Sequence, residues 1–266
     1  MPQPKGRTLP LSGPRRFILD MMHFARQVPS VPVGRAMRLG PLAEARRSHP
    51  IRPSWPVLFL KAYGLVCDAD PGLRRALLTV PRLRLYEHPY SIAALAMERE
   101  HEGEPCICVG LFRAPERQSI SELQEALDEY RSWPLERVGF FRQMLRISGY
   151  PAPIRRFLWW STLACSGPKR AKRLGTFGLS SYGALGAESY HPISPLTTTL
   201  TYGPIDASGL VTVKLIYDHR VLDGAQVARR LADLEEALLG PVLDELLGLP
   251  AGAGTEANRP ADRGAA

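Results

Sequence analysis

The pattern of apolar and polar residues predicts a strand followed directly by a helix near the end of this 266-residue chain. Over residues 209–217 the apolar side chains alternate with a period of two, which is typical of a strand. Further along, Val227, Leu231, Leu234 and Leu238 recur at intervals of four, three and four residues, which indicates an amphipathic helix. The residues between the two patterns therefore lie at a strand-to-helix junction.

Upstream, the same patterns predict helices and strands in mixed order. The predicted elements are, in chain order, a helix over 12–27 capped by Ser12, a strand over 31–39, a buried helix over 53–67, two strands over 89–97 and 105–112 that flank a charged turn at 98–104, and a helix over 119–130. The last helix begins with a capping box formed by Ser119 and Glu122. A chain of this length fits one α/β domain.

His219, Asp223 and Gly224 occupy the junction and form the pattern H-x-x-x-D-G. His219 follows the strand, and Asp223 stands where a helix N-cap is expected, because its carboxylate can accept backbone N–H groups there. A histidine in such a position can be fixed by backbone on both sides and still face a channel. From the pattern alone, a structural histidine beside a cap residue is the favoured interpretation, since short motifs often match by chance.

Composition and charge narrow the range of partners. The chain is 45% hydrophobic and 23% charged, which is ordinary for a globular protein. Lys and Arg outnumber Asp and Glu by 34 to 26, and the net charge of +8 favours anionic partners such as nucleotide phosphates, acidic lipids or nucleic acid. The basic residues are spread along the chain and form no recognisable nucleic-acid module, so we expect no nucleic-acid partner.

The cysteines and the apolar runs bear on the compartment. The N-terminus shows no apolar core of signal-peptide type, and no apolar run reaches about 18 residues, so we expect neither secretion nor a membrane-spanning helix. Cys67, Cys106, Cys108 and Cys165 show neither disulfide nor zinc spacing. We therefore expect buried thiols, no metal site and a cytoplasmic protein.

Two segments carry a resemblance to a known family. The octet DHRVLDGA, residues 218–225, resembles the active-site signature of the acyltransferase component of 2-oxo-acid dehydrogenase complexes, and its H-x-x-x-D-G core is shared with chloramphenicol acetyltransferases. Residues 175–203 resemble the family segment in which G-T-F precedes a short strand, a serine and a proline-containing element. Tyr182 departs from the leucine or proline common in that segment. The resemblance covers the last third of the chain well and the remainder in outline.

This resemblance implies a fold and a chemistry. The fold is α/β, a chloramphenicol acetyltransferase-like two-layer sandwich in which helices pack on a mixed sheet. His219 would be the general base that takes a proton from an acceptor O–H, N–H or S–H. Ser180 would donate to the oxyanion, unless its neighbour Ser181 is the one that faces inward. In the family the active site lies between subunits of a homotrimer, with the histidine from one subunit and the serine from the next.

The resemblance also implies a partner for Asp223. In the family an arginine of the first helix pairs with this aspartate, which makes Arg15 and Arg16 the candidates. Asp223 is then expected to hold the loop, through the cap and this salt bridge, rather than to relay a proton. Gly224 and Ser181 are expected next to the substrate.

The expected domain organisation is a loose arm over 1–9, an acyltransferase catalytic domain over 10–248 and a disordered tail over 249–266. The lipoyl domain, binding domain and linkers of the family do not fit before the first helix, so we expect a bare catalytic domain without a tightly bound cofactor. We favour free acyl-CoA as the donor to an unknown acceptor. An acyl-lipoyl group on another protein is the alternative.

A basic cluster upstream of the serine segment bears on that donor. Lys169, Arg170, Lys172 and Arg173 are expected to border the channel that leads to Ser180 and to contact the phosphates of coenzyme A. A solvated loop is the other interpretation, and it is correct for most such runs.

Residues 135–166 resemble the family least. Within them, Arg155 and Arg156 precede the adjacent Trp159 and Trp160. Such a sequence can mark a membrane contact over 153–165, an acyl-chain pocket or packing on the protein's own core, and core packing is favoured. Two rival functions stay open: a peripheral membrane acyltransferase that docks through this segment, and a non-catalytic trimeric scaffold, against which the intact octet argues.

Overall fold

In the computed structural model, which describes residues 6–248, a mixed six-stranded sheet forms the centre of the fold. The strands are β1 (Ser30–Arg38), β2 (Arg75–Leu78), β3 (Arg84–Glu87), β4 (Ile92–His101), β5 (Glu104–Arg113), β6 (Phe177–Leu179), β7 (Thr198–Tyr202) and β8 (Leu210–Asp218). The helices are α1 (Gly13–Ala25), α2 (Gly40–Ser48), α3 (Trp55–Ala69), α4 (Ile120–Ser132), α5 (Gly139–Ser148), α6 (Ala152–Ala164), α7 (Gly167–Leu174), α8 (Gly224–Leu239) and α9 (Pro241–Leu247). The predicted α/β fold, with helices packed on a mixed sheet, is confirmed.

Strand direction in the sheet decides where each strand ends. The order is β1-β8-β7-β6-β4-β5, and β2 pairs with β3 in a separate hairpin. β6 runs parallel to β4 and β7, whereas β7 is antiparallel to β8. Phe177 therefore lies level with Thr198 and, across the next pair, with Tyr217. As a result, β6 and β8 run in opposite directions, and their C-terminal ends lie at opposite ends of the sheet.

The main core lies between the sheet and the helices α3 and α8. Most residues of α3 are buried, as expected from a segment that is apolar almost all round. Phe59 of α3 stacks on Tyr202 of β7 with 4.2 Å between ring centroids, and Tyr63 meets Phe177 of β6 edge-on at 4.8 Å. The four apolar residues of the predicted α8 stripe are buried in the same core, which confirms the amphipathic helix.

A second apolar cluster lies at the β5 end of the sheet, where α1, α5 and α6 meet. Phe17 of α1 contacts Phe140 edge-on at 5.7 Å and Trp159 at 5.1 Å between ring centroids. Cys106 and Cys108 of β5 are buried in this cluster, so the buried thiols predicted for them are confirmed. Burial raises the pKa of the Cys108 thiol to about 11, so this thiol stays protonated at neutral pH.

The segment 153–165 belongs to α6, and one side of this helix is tied to the protein's own core. Trp159 is buried against α1, whereas Trp160 points outward. Arg155 donates to Oδ2 of Asp20 in α1 at 2.5 Å, and both side chains are nearly buried. Core packing is therefore confirmed for the inner side of α6, and a membrane contact through its outer side stays a prediction.

The charged turn expected over 98–104 is wrong, because most of this segment is strand. β4 continues to His101 and β5 begins at Glu104, so that only Glu102 and Gly103 form the turn. Their φ values of 53° and 76° are the positive values that a two-residue hairpin turn of type I′ requires. The charged residues before the turn occupy a strand that is solvated on one side, and such residues resemble a loop in a hydropathy pattern.

The predicted domain bounds fall near the ends of the described residues. The predicted tail over 249–266 lies outside the described residues, as does most of the predicted arm over 1–9. The bounds of the catalytic domain, 10–248, stay a prediction. Between residues 6 and 248, no helix combines the length and the hydropathy that crossing a bilayer requires.

We expect the buried pair of Asp20 and Arg155 to matter more for stability than the exposed pair of Arg15 and Glu104, whose closest atoms are 3.9 Å apart. Asp20→Ala leaves a nearly buried charge without its partner and should lower the free energy of unfolding by about 3–5 kcal/mol. Glu104→Ala should change it by less than about 1 kcal/mol. Urea unfolding of both variants measures the difference, and equal effects would contradict the role given to Asp20.

Candidate active site

The backbone fixes His219 at the end of β8 and leaves its imidazole half-exposed. The amide of Asp218 donates to the Thr197 carbonyl at 2.9 Å, and the amide of His219 donates to the Pro29 carbonyl at 3.2 Å. Neighbouring segments therefore hold this position on both sides, as expected at such a junction. The His219 side chain is 50% exposed, and its ring centroid lies 5.4 Å from that of Tyr217. The imidazole is thus available to a group from another molecule.

An ion pair between the buried Asp218 and the partly exposed Arg220 holds the turn that contains His219. Asp218 is almost fully buried and accepts hydrogen bonds from Nε and Nη2 of Arg220 at 2.9 and 2.8 Å, and from the Arg220 amide at 3.0 Å. A bidentate contact of this kind restricts both side chains and the backbone between them. The H-x-x-x-D-G pattern predicts no role for either residue. The signal that could have found them is the pair of opposite charges on either side of the histidine in the octet.

Arg170 lies close to this pair and is not a surface cation. Its guanidinium is buried and donates to the carbonyl oxygens of Leu77, Leu163 and Pro195 at 3.1, 3.5 and 2.7 Å. Burial lowers the pKa of Arg170 to about 10, and the nearby Asp218 carboxylate opposes this effect. The guanidinium therefore stays charged at neutral pH and joins three segments of the chain. The predicted contact between Arg170 and a coenzyme A phosphate is wrong.

The segment that carries the basic cluster is the helix α7, not the solvated loop of the other interpretation, and its basic side chains have different surroundings. Ser166 caps the helix by accepting a hydrogen bond from the Lys169 amide, and a proline stands in its first turn. Arg173 donates to Oγ1 of Thr162 at 2.7 Å. Only Lys169 and Lys172 of the four predicted contacts are exposed. The four cations therefore do not form one rim.

Asp223 stands at the N-cap position of α8, but its side chain makes no capping hydrogen bond. The carboxylate is 86% exposed, and its Oδ1 lies 3.8 Å from Nδ1 of His219. The expected cap is therefore wrong for the side chain, which lies beside the imidazole instead. Gly224 begins α8, and a side chain at that position would approach the Tyr217 hydroxyl at 3.1 Å. Contact of Gly224 with a substrate stays a prediction.

The predicted pairing of Arg15 or Arg16 with Asp223 is not formed within residues 6–248. Arg15 reaches Glu104 instead, at 3.9 Å, and the buried Nε of Arg16 has no hydrogen-bond partner among the described residues. The two arginines are too far from Asp223, because α1 separates its two ends by about 20 Å over its 13 residues. Both arginines lie in its first turn, whereas its C-terminal end leads to β1, the neighbour of β8.

Ser180 and Ser181 follow β6, and their hydroxyls differ in what they contact. Ser181 Oγ donates to the Tyr202 carbonyl at 2.8 Å and accepts from the Gly183 amide at 3.1 Å, so this hydroxyl stabilises the turn. The amide of Ser180 donates to the Leu200 carbonyl at 3.1 Å, while the residue lines two cavities. Of the two candidates, Ser180 is the one whose hydroxyl is available to a substrate.

The two cavities meet at Ser180. The apolar cavity has a volume of about 370 Å³. It lies between Phe17, Met21, Ala96, Phe140, Trp159 and Gly178. The mixed cavity has a volume of about 470 Å³. It lies between Arg15, Glu98, Glu104, Cys106, Ser181 and Leu185. A group bound at Ser180 can therefore extend in two directions with different chemistry.

The register of the sheet keeps His219 and Ser180 apart within one chain. Leu179 of β6 is level with Leu215 of β8, so Ser180, the next residue, is level with Lys214. From Lys214, β8 runs five residues in the opposite direction to reach His219, a distance of about 16 Å. His219 is not among the residues that line either cavity. One chain therefore does not bring the two predicted catalytic residues together.

α7 lies at the His219 end of the sheet rather than at the Ser180 end. The helix leads into the N-terminal end of β6, where Phe177 is level with Tyr217. Within one copy, the basic cluster therefore does not lie at the channel to Ser180, where it was predicted. Lys169 and Lys172 stay candidates for contact with an anionic substrate only on the His219 side.

We expect the pair of Asp218 and Arg220 to be required for a stable site. Arg220→Ala leaves the buried Asp218 carboxylate without its bidentate partner and should lower the free energy of unfolding by about 1.5–3 kcal/mol, the range for hydrogen bonds to charged groups. Arg220→Lys keeps the charge but loses the bidentate geometry, so an intermediate loss is expected. Urea unfolding checks both variants. If Arg220→Ala unfolds at the same urea concentration as the wild type, the pair does not hold this turn.

Comparison with known proteins bears on the fold. No protein-family model matches the chain, and no curated protein matches it in sequence. Among solved structures, a probable dihydrolipoamide acetyltransferase from Listeria monocytogenes 4b F2365 is 18% identical over 88% of this chain and 94% of that chain, with a TM-score of 0.63.

Two further structures extend this likeness. The dihydrolipoamide acetyltransferase of Azotobacter vinelandii is 17% identical over 92% of this chain and 95% of that chain, with a TM-score of 0.66, and its structure belongs to an investigation of a serine, a histidine and an asparagine in the catalytic mechanism of that enzyme. A chloramphenicol acetyltransferase is 12% identical over 86% of this chain and 96% of that chain, with a TM-score of 0.50. At these identities the likeness concerns the fold: the chain folds as dihydrolipoamide acetyltransferases and chloramphenicol acetyltransferase do.

Proposed function

We propose that this protein is an acyltransferase that moves an acyl group from a thioester, with coenzyme A as the favoured carrier, to an O–H, N–H or S–H group of an acceptor. The observation that carries the proposal is the DHRVLDGA octet at the exposed end of β8 in a fold shared with acyltransferases. Backbone hydrogen bonds and the ion pair of Asp218 with Arg220 fix His219 while its ring faces outward. A fixed but exposed imidazole is what a general base needs in order to contact a substrate, whereas a structural histidine would be buried and hydrogen-bonded.

We propose that the active site forms between two copies of the chain. His219 and Ser180 lie about 16 Å apart along the sheet, at opposite ends, and the sheet hydrogen bonds prevent them from approaching each other. Contact between the His219 end of one copy and the Ser180 end of the next uses two different surfaces, and repeated rotation closes such contacts into a ring. The resemblance described above implies that the ring is a homotrimer.

The proposed reaction needs one base and one hydrogen-bond donor. His219 takes the proton from the acceptor as the acceptor attacks the thioester carbonyl carbon. Ser180 of the neighbouring copy donates its O–H to the carbonyl oxygen as negative charge develops there, a contribution on the order of 3 kcal/mol. The tetrahedral intermediate then collapses, the carbon–sulfur bond breaks, and the departing thiolate receives the proton from the imidazolium.

We propose that Asp223 orients the imidazole. In the A. vinelandii enzyme the histidine and the asparagine under investigation stand four positions apart, as His219 and Asp223 do here. Oδ1 of Asp223 lies 3.8 Å from Nδ1 of His219, so a small rotation brings the two into hydrogen-bond distance. A proton held on Nδ1 leaves Nε2 free to accept the proton of the acceptor.

Two of the similar structures are dihydrolipoamide acetyltransferases, so dihydrolipoamide is the first acceptor to test. With this acceptor and an acyl-CoA, we expect mass spectrometry to detect released coenzyme A and acylated dihydrolipoamide. His219→Ala should lower the rate by about 10²–10⁴-fold without changing the melting temperature. His23→Ala, a change at another partly exposed histidine, is the matched control. Near-native turnover of His219→Ala would remove His219 as the base, and its unfolding would favour a structural histidine.

The donor assignment is tested through the two exposed lysines of α7. Changing Lys169 and Lys172 together to Ala should raise the KM for acyl-CoA about fivefold with little change in kcat, because exposed charge contacts are worth about 0.5 kcal/mol each and act equally on ground and transition states. The wild-type KM should also rise with ionic strength. Arg47 and Arg131, both changed to Ala, provide a control with the same loss of charge.

The same experiments also test whether coenzyme A is the carrier of the acyl group. If the double lysine variant keeps the wild-type KM, these lysines do not contact the donor. If acyl-CoA is inert while an acylated lipoyl domain is accepted, coenzyme A is the wrong carrier and the chain works with a separate lipoyl protein.

A further inference from the structure

The apolar cavity exists because one face of the sheet carries small residues next to Ser180. On this face Ala94 of β4 pairs with Gly178 of β6, and Gly178 pairs with Thr199 of β7. Ala96, two residues beyond Ala94, lies on the same face and lines both cavities. Side chains this short leave a space between the strands and the helices above them.

Large apolar side chains of three helices cover this space. Phe17 and Met21 of α1, Phe140 of α5 and Trp159 of α6 line the apolar cavity, and Met22 of α1 joins them. They pack on one another and on β5, since Phe17 contacts both Phe140 and Trp159 and belongs to one apolar cluster with Cys106 and Cys108. Methionine side chains adapt easily to the shape of an apolar ligand.

The apolar cavity opens to solvent, because Ile107, Tyr182 and Ile193 of its lining are exposed. A ligand can therefore enter it and bury apolar surface there. Cavities that bind small molecules are typically apolar with few polar groups, and a volume of about 370 Å³ is in their range. The neighbouring mixed cavity differs, because Arg15, Glu98 and Glu104 line it.

We propose that the apolar cavity binds the alkyl chain of the acyl group, so that the protein acts on thioesters of medium-chain or longer fatty acids rather than on acetyl thioesters. This inference rests on the proposed acyl transfer. If the Ser180 hydroxyl donates to the carbonyl oxygen, the chain attached to the carbonyl carbon begins within a few ångströms of Ser180, where the apolar cavity begins. The sulfur and its polar carrier then extend through the mixed cavity.

A series of acyl-CoAs of increasing length tests the chain preference. With dihydrolipoamide as acceptor, kcat/KM should rise about fourfold for each added methylene from butanoyl-CoA to octanoyl-CoA, because burying each methylene is worth about 0.8 kcal/mol. The increase should stop when the chain fills the cavity. Acetyl-CoA that reacts as well as octanoyl-CoA would overturn the proposal.

Ala96→Leu tests the location of the chain. Its three added carbons take the space of about three methylenes, so the ratio of kcat/KM for octanoyl-CoA to that for acetyl-CoA should fall on the order of 50-fold. Ala36→Leu, an equal change at an exposed position of β1, should leave the ratio unchanged. If Ala96→Leu does not fold, the smaller Ala96→Val, which adds two carbons, should still lower the ratio by about 15-fold. An unchanged ratio in a folded Ala96 variant would place the chain elsewhere.

A binding measurement separates this inference from the proposed function. Titration calorimetry on the His219→Ala variant should show octanoyl-CoA binding at least tenfold more tightly than acetyl-CoA, with the preference lost in a variant that also carries Ala96→Leu. If this binding is seen but the wild type transfers no acyl group, the acyltransferase proposal fails and the chain site stands. If transfer is seen with acetyl-CoA as the best donor, the chain site fails and acyl transfer stands. If decanol is acylated from acetyl-CoA and competes for the cavity, the site belongs to an apolar acceptor and the acyl assignment is overturned.

Discussion

The opposite directions of β6 and β8 constrain everything else about this site. Backbone hydrogen bonds through β7 fix the two strands, and their register is set by side chains that must face the core on one side of the sheet. Ser180 continues one strand and His219 continues the other, so they leave the sheet at opposite ends. A reaction that uses both residues therefore requires two copies of the chain, and the half-exposed imidazole belongs to a surface that another copy can cover.

The two ends of the sheet differ in their side chains: one carries charged groups that bind one another, and the other carries small residues. At the His219 end, the buried charges of Asp218 and Arg170 are satisfied by the partly exposed Arg220 and by backbone carbonyls, which fixes the turn at the cost of desolvating the two buried groups. At the Ser180 end, small residues such as Ala96 and Gly178 leave space under the helices. The fixed turn at the His219 end suits a base, which must be held in one orientation. The space at the Ser180 end suits a substrate, which must be able to enter.

Local patterns predicted the elements well, and long-range contacts account for the errors. The α8 stripe, the buried α3 and the capping box of Ser119 and Glu122 depend on residues a few positions apart, and all were found. Arg170 was misread because its carbonyl acceptors come from distant segments. The choice between Ser180 and Ser181 depends on a turn that no periodicity reports. An acyl-chain pocket was only one of three interpretations of the segment 153–165, because Ala94 and Gly178, which make room for the apolar cavity, become neighbours only through strand pairing.

The most direct test of the two-copy site is to mix inactive variants. His219→Ala and Ser180→Ala chains, each inactive alone, are unfolded together in equal amounts, refolded and assayed for acyl transfer. In a ring in which each site takes its histidine from one copy and its serine from the next, random mixing restores about a quarter of the sites, so about a quarter of the wild-type activity is expected. Activity that stays at the level of the separate variants, in a mixture shown to contain mixed oligomers, would contradict a site shared between two chains.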